Sequence, residues 1–104
     1  MKTTEINRSR HIAECIDVTV RFDDAEPRPR RYSSTHIWRP GTLTVRWTRS
    51  QTDDDDWSDW DSNATVRGHR VKKDGTNGQS FAERLYRPRP GDEFHAEIEA
   101  TRPR

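Results

Sequence analysis

A chain of 104 residues, 28% hydrophobic and 36% charged, sets a prior of one domain with a thin core. Leu, Ile, Val and Phe number only 15, low enough to suggest disorder, but a net charge of +1 lacks the imbalance that disorder usually requires. One Cys excludes an intramolecular disulfide, and no apolar stretch is long enough for a transmembrane helix or a signal-peptide core.

Met1 to Arg10 is polar and has no periodicity, so a flexible N-terminal arm is expected over 1–10, ahead of a single domain over 11–104. His11 to Asp23 reads as a strand. Ile12, Ile16, Val18, Val20 and Phe22 share one parity, with Glu14 the exception on that face. Cys15, Asp17, Thr19 and Arg21 fall on the other, solvated face. Asp24 to Arg31 contains two Pro residues that remove ladder donors, which predicts a loop of polyproline character.

Tyr32 to Trp38 reads as a third strand and Thr42 to Thr48 as a fourth. Arg39-Pro40-Gly41 is expected to turn between them and make a hairpin. Thr42 to Thr48 is the clearest strand in the chain. Leu43, Val45 and Trp47 take one face, Thr44, Arg46 and Thr48 the other. Ser50 to Asn63 follows with four adjacent carboxylates, Asp53 to Asp56, which repel one another and demand an exposed loop. Trp57 and Trp60 are its apolar anchors, either tucked onto the domain or presented as a sticky tip.

Ala64 to Lys73 reads as a strand with a bulge at Gly68 that returns Val71 to the inner face. Asp74-Gly75 and Asn77-Gly78 are strong hairpin signals. Phe81 to Arg87 then reads as a strand, with a short helix as the alternative because Phe81 and Leu85 are four apart. Pro90-Gly91-Asp92 is a turn. Phe94, Ala96, Ile98 and Ala100 alternate with His95, Glu97, Glu99 and Thr101, predicting a last strand. The expectation is an all-β fold, a small antiparallel β-sandwich of about six strands, or alternatively a small β-barrel.

Leu43-Thr44-Val45-Arg46-Trp47 resembles the B strand of fibronectin type III and immunoglobulin-like sandwiches. Leu85 with Pro90-Gly91-Asp92-Glu93-Phe94 and the alternation to Ala100 is similar to their E–F corner and F strand, with Phe94 where Tyr usually stands. The resemblance covers about a fifth of the chain. It implies an immunoglobulin-like architecture and carries no function.

Charge is segregated along the chain. Pro27 to Arg49 carries six Arg and no acid, and Asp53 to Asp61 carries six Asp and no base. One reading is a basic surface for an acidic partner; the other is mutual neutralisation of two neighbouring segments. In the first reading Arg28, Arg30, Arg31, Arg39, Arg46 and Arg49 interleave with Tyr32 and Trp38, as in small β domains that bind nucleic acid. Trp47 shares parity with Leu43 and Val45 and belongs to the core.

Asp59-x-Asp61-x-Asn63 has the opening spacing of an oxygen-ligand calcium loop. Ala64 and Arg70 stand where that pattern needs Gly and Glu, leaving at most weak Ca²⁺ binding. The four His are scattered without zinc-ligand spacing, and His95 with Glu97 on one strand face is the nearest approach to an acid–base pair.

No cofactor is expected, and the sequence points to a non-enzymatic protein–protein interaction module or structural subunit, with nucleic-acid binding as the alternative. Self-association is expected from the thin core. Trp57, Trp60, Asp59 and Asp61 are the candidate contact residues. Arg outnumbers Lys 16 to 3, as in a GC-rich genome such as that of an actinobacterium or its phage. A cytoplasmic location, or a virion if phage-encoded, is the corresponding expectation, with no membrane partner.

Overall fold

The alternation at Leu43, Val45 and Trp47 belongs to a strand far longer than seven residues. The computed structural model describes residues 2–10, 13–23, 25–30, 33–51 and 56–104, with the backbone alone at 2–3, 7–10, 30 and 33–35. In it Ser33–Ser50 is one continuous strand, β4. The hairpin expected at Arg39-Pro40-Gly41 does not occur. Pro40 is opposite Gly68 and Thr42 is opposite Arg67, so Gly41 is one extra residue in the ladder. A bulge of this kind reverses side-chain parity. Trp38 and Pro40 are buried before it, and Leu43, Val45 and Trp47 after it. In sequence, a change of parity at Pro-Gly looks the same as a turn.

Two local features let β4 pass through Pro40. On one side, register partners run from Arg28, opposite Trp38, to Arg21, opposite Thr42, so residues 39–41 face no ladder there. A missing N–H is tolerated at such a gap. On the other side Gly68 lets the backbones close up. A Cβ at Gly68 would lie 2.3 Å from the carbonyl oxygen of Arg39. The bulge expected at Gly68 is therefore in the opposite strand, and Gly68 is the residue that makes room for it.

The other strands are β1 (Lys2–Arg10), β2 (Ala13–Phe22), β3 (Arg28–Arg30), β5 (Asp61–Val71) and β6 (Asn77–Tyr86). All pairings are antiparallel, in the order β1-β2-β4-β5-β6, with β3 on β4. The expected N-terminal arm is instead strand β1, in register with β2 from Lys2 opposite Phe22 to Arg10 opposite Glu14. Its low hydrophobicity fits an edge position, where only one side is paired. β3 lies in the Pro-rich segment and is only three residues long, as an edge strand with Pro must be. The Asp74-Gly75 turn is formed, with Gly75 at φ +86° and the Asp74 carboxylate accepting from Thr76 N and Oγ1. Phe81–Tyr86 is strand, not helix.

The six described strands join one open, antiparallel sheet. Its inner face is closed by residues 87–104, not by a second sheet. The expected strand at Phe94–Ala100 is a short helix, α1 (His95–Glu99). Phe94 and Ile98 are four apart, so one helical turn brings both onto the same face. Both are buried, and Phe94 adopts φ +66° as the chain enters the turn. The Phe94 ring meets Phe22 at 5.9 Å and Trp38 edge-on at 5.8 Å, and Trp38 meets Phe81 edge-on at 4.7 Å. At the other end of the helix, Trp47 Nε1 donates to Thr101 Oγ1 at 2.9 Å and the Arg102 guanidinium lies 4.7 Å from the Trp47 ring centre. The C-terminal segment is thus fastened to β4 at both Trp38 and Trp47.

Candidate functional site

The loop after β4 is drawn together by Ser50 and Ser58, which exchange bonds through Ser58 N to Ser50 O at 2.9 Å and Ser50 N to Ser58 Oγ at 3.0 Å. Asp53 to Asp55 lie outside the described residues. Trp57 and Trp60 are half-buried, and their rings stack on the Arg49 guanidinium at 4.7 Å and 4.5 Å. Arg49 in turn donates to Glu14, its cross-strand neighbour. This accounts for Glu14 on the apolar face of β2. It is 1% exposed and sits opposite a cation. Asp59 and Asp61 are exposed.

The described arginines of the basic stretch do not form one surface, because alternate residues of a strand point to opposite faces. Trp38 and Trp47 are core. Arg28 lies over the Phe94 ring at 5.2 Å, with Glu93 3.6 Å away. Arg39 donates to the Ala25 carbonyl and to Asn77 Oδ1. Arg49 faces Glu14 on the inner side, while Arg46 faces outward and holds Asp17 with two bonds of 2.8 Å and 2.9 Å. Those bonds hold the Asp17 carboxyl below its usual range, outweighing the desolvation that would raise it. The same pair holds Arg46 above the ordinary arginine range. The Arg30 side chain, Arg31 and Tyr32 lie outside the described residues.

The outer face of the sheet gathers residues that sequence order keeps apart. Register aligns Asp17, Arg46, Asn63 and Tyr86 in one row across β2, β4, β5 and β6. The next row is Thr19, Thr44, Thr65 and Arg84, and the third is Arg21, Thr42, Arg67 and Ala82. Arg46, Arg67 and Arg84 surround a shallow depression of about 330 Å³ floored by Thr44 and Thr65, with Tyr86 at its rim. Arg84 Nη1 reaches Tyr86 Oη at 3.5 Å, and Tyr86 is 68% exposed. Arg67 has no acidic partner among the described residues. Sequence reasoning missed Arg67, Arg84 and Tyr86, because only the parity of each strand combined with its register brings them to Arg46.

Asp61 and Asn63 share the outer face of β5, and Asp59 precedes that strand. Among the described residues no three His, Cys, Asp or Glu side chains gather in a metal-binding group. His95 and Glu97 do not share a strand face, since both lie on α1. His95 Nε2 is instead 3.8 Å from Glu99. Among the described residues no helix is long and apolar enough to cross a membrane.

No protein-family model, curated protein or solved structure matches this chain.

Proposed function

We propose that this chain is a non-enzymatic structural subunit that assembles with a second copy of itself through the β6 edge of its sheet. The observation that supports this is the edge itself. Asn77–Tyr86 pairs with β5 on one side and, among the described residues, borders no strand on the other. Alternate residues of an antiparallel edge turn N–H and C=O outward, a template for another strand. Phe81 and Leu85 face the core side yet stay only partly buried, so a facing strand would extend an otherwise thin core.

The sequence of β6 suits pairing with itself. A two-fold axis through Phe81 sets Gln79 against Glu83 and Ser80 against Ala82, with no like charges opposed. Trp57 and Trp60 already spend their ring faces on Arg49, which moves the contact from that loop to β6.

Sedimentation velocity at micromolar concentration tests this reading with Ser80→Lys combined with Ala82→Lys. Both side chains lie on the exposed outer face, so the monomer keeps its fold, while a symmetric edge would bring lysines together. The wild-type chain is expected as a dimer or larger species and the variant as a monomer. A monomeric wild type, or an oligomer indifferent to the two lysines, would contradict it.

A further inference from the structure

We infer that the outer sheet face binds single-stranded nucleic acid, with Arg67 and Arg84 on phosphates and Tyr86 stacked on a base. This goes beyond edge assembly and needs one copy only. The inner face is closed by residues 87–104, but no described element covers the outer one. On the outer face Thr19, Thr44 and Thr65 stand in one row, between the row of Asp17 and Arg46 and the row of Arg21 and Arg67.

Arg67 and Arg84 lie diagonally across β5 and β6. Thr65 is opposite Arg84, and Arg67 is one row further on, opposite Ala82. Rows on one strand face are about 7 Å apart, a step that successive phosphates of an extended strand can follow. Tyr86 is one row beyond Arg84 on the side away from Arg67, opposite Asn63, and its ring is open to solvent. Guanidinium groups that track a backbone beside an aromatic platform are the two elements of sequence-tolerant single-strand binding.

Charge favours the same ligand. Arg46 is committed to Asp17 and Arg21 to Glu5, whereas Arg84 bonds the Tyr86 hydroxyl and, among the described residues, neither Arg84 nor Arg67 pairs with an acid. Two cations are thus available beside a third that is held rigid. The basic sequence stretch does not build this site. Of its described arginine side chains, Arg28, Arg39, Arg46 and Arg49, only Arg46 lines the depression.

The test is fluorescence anisotropy of labelled oligo-dT and oligo-U with the full chain, across a salt series, with heparin as a parallel polyanion. The expected result is binding at low salt that falls with a log–log slope of about −0.7 for each phosphate contact. Arg67→Ala and Arg84→Ala should each weaken binding and flatten that slope by about one contact. Tyr86→Ala should weaken oligonucleotide binding about tenfold, leave heparin binding unchanged, and be rescued by Tyr86→Phe. Far-UV circular dichroism confirms that each surface variant is folded. Lys72→Ala with Lys73→Ala, on the distant hairpin, should have no effect. The inference is overturned by absence of binding at low salt, by affinity lost with Lys72 and Lys73, or by an oligonucleotide affinity indifferent to Tyr86→Ala.

Discussion

Arg49 Nε and Nη2 both lie 2.6 Å from the same oxygen of Glu14, Oε2, and Glu14 is almost wholly enclosed. Removing the cation leaves a buried carboxylate without this charge partner. Breaking a buried pair from one side costs about 3–5 kcal/mol, and the partial exposure of Arg49 puts Arg49→Ala near the lower end. Replacing both, Glu14→Leu with Arg49→Met, should cost much less, because the desolvated charge goes too and Met still packs on Trp57 and Trp60. Urea titration of the three chains checks this; a double variant as unstable as the single one would contradict it.

Gly68→Ala and Gly41→Ala should differ sharply. The added methyl at Gly68 meets backbone, 2.3 Å from Arg39 O and 3.0 Å from Pro40 Cα, and backbone cannot swing aside. At Gly41 the nearest atom is 3.5 Å away, an ordinary contact. Overpacking of this kind costs about 1–3 kcal/mol or more, so Gly68→Ala should lower the melting temperature by several degrees while Gly41→Ala changes it little. Equal effects would place the bulge elsewhere.

Trp47 is fully enclosed and its N–H is bonded to Thr101, whereas Trp57 is half-exposed. Trp47→Ala should cost about 3–5 kcal/mol, enough to unfold a small domain. Trp57→Ala should cost distinctly less. Chemical denaturation showing equal losses would overturn the burial assigned to the loop.

Acid should weaken the outer face first at Asp17. Its folded-state pKa is depressed, so the stabilisation it provides is fully present above the unfolded value of about 3.9 and is lost as pH falls through the folded value. Glu99, held low by Arg102, acts in the same direction. Thermal melts from about pH 5 down to pH 2 should therefore show a steeper fall for wild type than for Asp17→Asn. Parallel curves would show that the Arg46 bonds do not persist in solution.

Much of the sheet was legible in sequence. The parity of Ile16, Val18 and Val20, of Leu43, Val45 and Trp47, and of Ala64 and Val66 named the inner face directly, and Asp74-Gly75 named a turn. Three features were not legible, each for a physical reason. Pro40-Gly41 reads as a turn because a bulge and a turn both reverse parity and both favour Gly; only Gly68, far along the sequence but directly opposite Pro40 in the partner strand, separates the two. Phe94 and Ile98 satisfy period 2 and a single helical turn equally well, so their spacing alone does not separate a strand from the helix that forms. The first ten residues have no alternation because β1 pairs on one edge, and its described side chains at Thr4, Glu5 and Ile6 are exposed. The site was the least legible of all, since Arg46, Arg67, Arg84 and Tyr86 meet only through register.

Assembly through β6 can be read out by residue-resolved amide hydrogen exchange at two protein concentrations. Amides within Asn77–Tyr86 should gain protection as concentration rises, while those of β1 and of residues 56–60 should not. Protection independent of concentration, or confined to the loop bearing Trp57 and Trp60, would contradict it.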